Sequence, residues 1–203
     1  MQAESMPTIL AEAIELHAPE RKLWTRGEFE RLGAASLIDP ERFELMDGEL
    51  ILKVSKHRPH VNAFSFLYLW LLRTFGDMAV NGEAPIDVHP SENRVSEPVP
   101  DLIVLNRTFD SIPSGNPAPS DLNLVVEISD TSLHFDLTTK AGVYARAGII
   151  EYWVLDIQTR RMIVHRDPVD GTYQSVLVYG ENEAIAPLAA PDAEFRPSQA
   201  FVG

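Results

Sequence analysis

The sequence predicts a single mixed α/β domain: a central mixed β-sheet flanked by helices, with an additional helix and β-hairpin on the N-terminal side. Three observations carry this expectation. The chain has 203 residues, the size of one ordinary domain. Two apolar runs, residues 122–128 and 149–157, read as strands covered on both faces. One helical segment lies between these runs and another precedes them, so helices and strands interleave as in layered α/β folds.

The elements follow in order. Residues 1–24 read as an N-terminal arm, residues 25–195 as the domain and residues 196–203 as a C-terminal tail. Thr25 and Glu28 form a capping box for a short helix through about Leu32. Residues 42–54 alternate around Asp47-Gly48 and read as a hairpin with that pair as its turn. A helix spans residues 58–75, with Pro59 in its first turn. It is apolar on almost every side, so both faces are expected to be packed. Residues 79–88 and 99–105 are strand candidates, and a loop with three prolines covers residues 109–120. Asp136 is the expected cap of a helix ending near Ala147, with Gly148 as the turn out of it. Residues 161–165 and 173–179 are the last strands, joined through Asp170-Gly171.

Composition narrows the function. The chain carries 30 acidic and 17 basic residues, a formal charge of -13. That excludes a general nucleic-acid-coating protein and docking on anionic lipid. An enzyme that meets nucleic acid at one small patch is still allowed, because a bound metal ion offsets carboxylates locally. Cysteine is absent, which rules out disulfides, thiolate catalysis and cysteine-held metal clusters. The first seven residues lack the basic and apolar regions of a signal peptide. The most apolar stretch, residues 61–72, falls short of the roughly 20 residues that cross a bilayer. A cytoplasmic protein without a membrane partner is the expectation.

Two carboxylates stand where burial is expensive. Asp101 opens the segment PDLIVL, and Glu127 sits inside LVVEIS. An acid in such a run needs a metal ion, a paired cation, a hydrogen-bond network or exposure at the strand end. Lys140 follows Asp136 by four residues. It is either an ordinary surface pair or a lysine aimed back at Glu127, where it would stabilise charge on a phosphate undergoing transfer. Tyr144 shares its helical face. Glu49 and His60 are further candidates, each with an ordinary solvated or packed alternative. Lys53, Lys56, His57 and Arg58 form a small basic patch. There is no Gly-rich phosphate loop, HExxH motif or GxSxG elbow.

Taken together, FELMDGEL at residues 43–50, His60, VPDLIVL at 99–105, LVVEISDTS at 124–132, Asp136-x-x-x-Lys140, Tyr144 and AGIIEYWVLD at 147–156 resemble the PD-(D/E)xK nuclease superfamily. More closely, they resemble its bacterial family of uncharacterised restriction-endonuclease-like proteins. The resemblance implies a restriction-endonuclease-like core and hydrolysis of a phosphodiester without a covalent intermediate. It implies one or two divalent ions, Mg2+ or Mn2+, held by Asp101 and Glu127 with Glu49, and His60 as an accessory. The superfamily's lysine two residues after the glutamate is replaced here by Ser129, and the resemblance implies that Lys140 takes its role. DNA is the implied partner, RNA is not excluded, and a nuclease that cuts both strands would act as a homodimer. The alternative is a catalytically inactive nuclease-fold module that binds protein or nucleic acid. Tyr152 and Trp153 are expected in the core or at a subunit interface.

Overall fold

The computed structural model describes residues 20–53, 56–112 and 115–201. Most of the expected N-terminal arm, residues 1–19, and the end of the expected tail, residues 202–203, lie outside the described residues, as does Val54 of the predicted hairpin. Helix α1 (Arg26–Ala34) carries the full capping box, with Thr25 and Glu28 each bonding the other's backbone. Strands β1 (Phe43–Met46) and β2 (Glu49–Leu52) form a separate antiparallel hairpin. Helix α2 spans Arg58–Phe75. A six-stranded mixed sheet follows, in spatial order β3 (Val80–Gly82), β4 (Leu102–Leu105), β5 (Leu122–Ser129), β6 (Glu151–Asp156), β7 (Arg161–Val169) and β8 (Thr172–Tyr179). Only β5 and β6 run parallel. That pairing requires a crossover, supplied by helix α3, residues 133–146.

The sheet has one core on each face, and strand alternation sorts residues between them. Leu102, Val104, Leu124, Val126, Ile128, Trp153 and Leu155 pack with Leu67 and Leu71 of α2. Ile103, Val125, Tyr152 and Val154 pack with Val143 and Tyr144 of α3. Glu127 is two residues from Val125, and Asp101 two from Ile103, so both acids belong to the α3 face.

Several expectations change. Strands β3 and β4 are shorter than residues 79–88 and 99–105 suggest. Glu83 turns the chain at φ 52, and Pro85 and Pro100 have no N–H to give to a ladder. Asp136 is not the cap of α3. The helix begins at Leu133 after Ser132, and Asp136 lies buried inside it, accepting a hydrogen bond from Ser132 Oγ at 2.6 Å. Helix α2 does not pack on both faces: Ala63, Leu67 and Leu71 are buried, while Val61, Phe66 and Leu69 are exposed. Residues 197–201, within the expected tail, form a 3-10 turn whose Ala200 joins the α2-side core. Tyr152 and Trp153 are both fully buried. Among the described residues, no helix is long and apolar enough to cross a membrane.

The hairpin turn is built for its residues. Asp47 and Gly48 both have positive φ, 48° and 80°, the geometry of a two-residue turn that matches strand twist. A Cβ on Gly48 would stand 2.7 Å from Leu23 Cβ. Gly48→Ala is expected to cost about 1–3 kcal/mol from left-handed strain plus that clash, read from the urea midpoint.

Candidate functional site

The two acids expected to matter lie at the same end of the sheet because β4 and β5 are antiparallel: Asp101 precedes β4 and Glu127 is near the end of β5. The backbone N–H of Ile128 donates to Asp101 Oδ2 at 2.8 Å, tying the two strands together there. Above them is a cleft of about 300 Å³ lined by Glu44, Lys56, His60, Asp101, Glu127 and Lys140, among others. Asp101, Glu127, Lys140 and His60 come from four elements or their edges, and all reach this one cleft.

Lys140 points inward, not to the surface. Its Nζ lies 2.9 Å from Glu127 Oε1 and 3.2 Å from Glu44 Oε1, with the lysine side chain 7% exposed. The middle of α3, Asp136–Lys140, is π-helical, a local widening often found at functional sites. It shifts the helical register just where Lys140 must face the sheet. Tyr144, one turn on, is more than packing: its hydroxyl donates to Glu127 Oε1 at 2.9 Å.

Glu49 does not join them. It is exposed on the far strand of the hairpin, 3.5 Å from Arg21, and it does not line the cleft. Glu44 stands there instead. It is buried, pairs with Lys140 and accepts from Val99 N–H at 3.3 Å. The two glutamates sit in the same FELMDGEL motif on opposite strands of the hairpin. The signal separating them was available: Glu44 is flanked by Phe43 and Leu45, an acid inside an apolar run like Glu127. Lys56, read from the sequence only as part of the small basic patch, is a second residue of the cleft. Its Nζ lies 2.8 Å from Asp101 Oδ1 and 2.5 Å from Glu83 Oε1. Lys53 and His57 of the same patch line the cleft as well.

The cleft is short of positive charge. Burial pushes the Glu127 carboxyl up to about 8; Lys140 opposes this, while Asp101, Asp136 and Glu44 add to it. Burial works against the Lys140 ammonium, but Glu127, Glu44 and Asp136 outweigh it and hold its pKa above the usual lysine value. Lys140 therefore stays protonated and is no general base. Burial also acts to raise Asp101, yet His60, whose Nε2 is 3.4 Å from Oδ2, and the Lys56 charge hold it below the ordinary aspartate range. Among the described residues, no group of three or more His, Asp or Glu is arranged to hold a metal ion.

These shifts fix a pH dependence. A carboxyl raised on folding keeps its proton in the native state where the unfolded chain has lost it, so stability falls as pH rises between the two values. For Glu127 that window runs from its ordinary value of 4.5 to about 8. Asp101 acts in the opposite sense and only at lower pH, since its depressed pKa stabilises the fold above the unfolded value. Below pH 6.5 the buried His165, its pKa lowered by burial, opposes this trend, so unfolding in chelator is expected to show falling stability between about pH 6.5 and 8.5, by at most about 1.4 kcal/mol per pH unit. Glu127→Gln is expected to flatten that slope. An equal slope in the variant would mean that another group is responsible.

Comparisons with known proteins agree on the fold. A family model described as "Uma2: Putative restriction endonuclease" matches residues 27–198. A solved structure described as a putative nuclease belonging to DUF820, from Anabaena variabilis ATCC 29413, superposes with a TM-score of 0.61. It is 16% identical, over 92% of this chain and 94% of that one. No curated protein matches the chain.

Proposed function

The chain belongs to the Uma2 family, and from that premise we propose that its cleft is the site of a divalent-cation-dependent phosphodiester hydrolase, an endonuclease in substrate class. The observation that carries this reading is the meeting of Asp101, Glu127 and Lys140, far apart in sequence, in one cleft with Glu44. The donor chemistry suits a hard cation, since all three acids offer carboxylate oxygens, and Glu127, raised to about 8, marks a place where added positive charge is favoured. Asp101 and Glu127, with Glu44 in the place expected for Glu49, would hold Mg2+ or Mn2+. When bound, such an ion supplies Lewis acidity toward phosphoryl oxygen and a more acidic water.

The chain's own residues do the rest. Lys140, protonated and fixed by Glu127 and Glu44, offers an ammonium to the charge that develops on phosphate. Tyr144 holds Glu127 from behind. His60 and the Ile128 N–H orient Asp101. Lys53 at the cleft offers positive charge to a phosphate backbone and His57 a ring nitrogen for hydrogen bonding, with DNA the first candidate substrate and RNA the second.

A second reading has its own observation. Without a three-ligand group among the described residues, and with lysines already bonded to Asp101 and Glu127, a nuclease-fold module that binds protein or nucleic acid without cleaving it is favoured more directly by the arrangement as it stands. Cleavage of single- and double-stranded DNA and RNA with Mg2+ or Mn2+ separates the two. The hydrolase reading expects cation-dependent cleavage that drops about 100- to 1,000-fold in Lys140→Ala, and disappears in Asp101→Ala, with both variants checked for folding by circular dichroism. Retained nucleic-acid binding with no cleavage by the wild type would select the second reading.

A further inference from the structure

The two lysines of the cleft are held differently. Lys140 is enclosed behind Glu127 and Glu44, its side chain 7% exposed. Lys56 stands at the cleft's open side, its side chain 36% exposed, across Asp101 Oδ1 and Glu83 Oε1. Its ammonium also lies 5.7 Å from the centre of the Phe64 ring. Asp101 is thus engaged at both oxygens, by Lys56 on one side and by Ile128 N–H and His60 on the other. The Ile128 contact is main chain and cannot leave without breaking the strand. The Lys56 contact sits at the tip of a long flexible side chain with solvent beside it.

We propose that Lys56 is a tethered counter-ion that competes with the divalent cation for Asp101 and must swing away for the ion to bind. The inference rests on the cation-dependent reading above. Asp101 Oδ1 is the oxygen of this carboxylate not committed to the main chain, so an ammonium 2.8 Å from it and a divalent ion ligated by it would crowd two positive centres onto one atom. Their repulsion at that separation is strong in a partly buried site. Displaced, Lys56 keeps Glu83 as a partner at the rim, where that carboxylate is 59% exposed. There it stands with Lys53 and His57 along the approach of a phosphate. A tether of this kind sets a threshold: the site fills only when cation activity outweighs an always-present internal competitor.

The test uses the full chain and Mn2+ alone, so no activity is required. Calorimetric titration at pH 7 is expected to show Lys56→Met binding Mn2+ at least tenfold more tightly than wild type, while Lys53→Met stays within threefold. In the wild type, acetylation of the Lys56 amine by an N-hydroxysuccinimide ester, mapped by mass spectrometry, is expected to rise at least threefold on Mn2+ saturation. Lys22, away from the cleft and half-exposed in its pair with Glu28, should not change. The labelling arm stands even if Lys56→Met folds poorly. Wild-type Mn2+ binding with unchanged Lys56 labelling, or Lys56→Met binding no more tightly, overturns the tether and leaves the cation site standing. Equal gains in Lys53→Met and Lys56→Met overturn it in favour of a diffuse field effect. No Mn2+ binding by any folded variant overturns the cation-dependent reading and the tether together.

Discussion

Lys140→Met is expected to cost about 3–5 kcal/mol at pH 8, because it leaves buried carboxylates without the cation that compensates them. Three acids depend on this one ammonium. Glu127 and Glu44 bond it at 2.9 and 3.2 Å, and Asp136, four residues earlier on α3, adds to its field. In a chain of this size the loss corresponds to roughly 6–20 °C in Tm. The sign of its pH dependence follows from the groups left behind. Burial already raises Glu127 and Asp136, and without Lys140 both rise further. Lowering the pH to 5 lets them take up protons, so the penalty should shrink there. Denaturant unfolding at pH 5 and 8 checks this. An equal loss at both pH values would mean that Lys140 contributes packing alone. Adding Glu127→Gln to Lys140→Met should recover part of the loss at pH 8, since one uncompensated charge is gone.

The second large effect lies on β6, the strand that flanks the site. Glu151 is fully buried. It accepts from Arg166 Nε at 2.8 Å, from the Trp153 indole N–H at 2.9 Å and from the Leu188 N–H at 2.7 Å. Arg166 reaches on to the Ala186 carbonyl. This cluster joins β6, β7 and the chain after β8. Arg166→Met would strand the carboxylate and is expected to cost about 3–5 kcal/mol. The double variant Glu151→Leu/Arg166→Met should be more stable than Arg166→Met alone, since replacing both members of a buried pair by apolar groups avoids the uncompensated charge. A double variant less stable than the single would show that the indole and Leu188 bonds matter more than the ion pair.

Local chemistry made much of the fold legible. The capping box at Thr25 and Glu28, the Asp47-Gly48 turn and the apolar runs of β5 and β6 all appear where their residues demand. Each is decided within a few residues, by a cap, a dihedral preference or a two-residue period. The same period places Val125 and Glu127 on one face of β5, so the choice of Asp101 and Glu127 needed only the cost of burying an acid. Where the fold departed from expectation, the deciding term was again local but overlooked: two prolines and a positive-φ glutamate shortened β3 and β4, and Ser132 began α3 a turn early.

The site was less legible because its members meet only after the chain folds. Glu44 and Glu49 look alike in sequence, and the bridge between β1 and the segment before β4, through Glu97 N–H to the Leu45 carbonyl, together with the Val99 N–H that Glu44 accepts, is what holds Glu44 inward. Lys56 read as part of a solvated patch until Asp101 came beside it from 45 residues away. Lys140 had two open readings, surface pair or site lysine, and the π-helical turn of α3 against β5 chose between them. The sequence by itself determined which segments become strands and helices and which acids are too costly to leave unpaired. Only the tertiary structure decided which cations answer them, because that depends on distances between elements, set by packing two cores onto one twisted sheet, and no local preference encodes those distances.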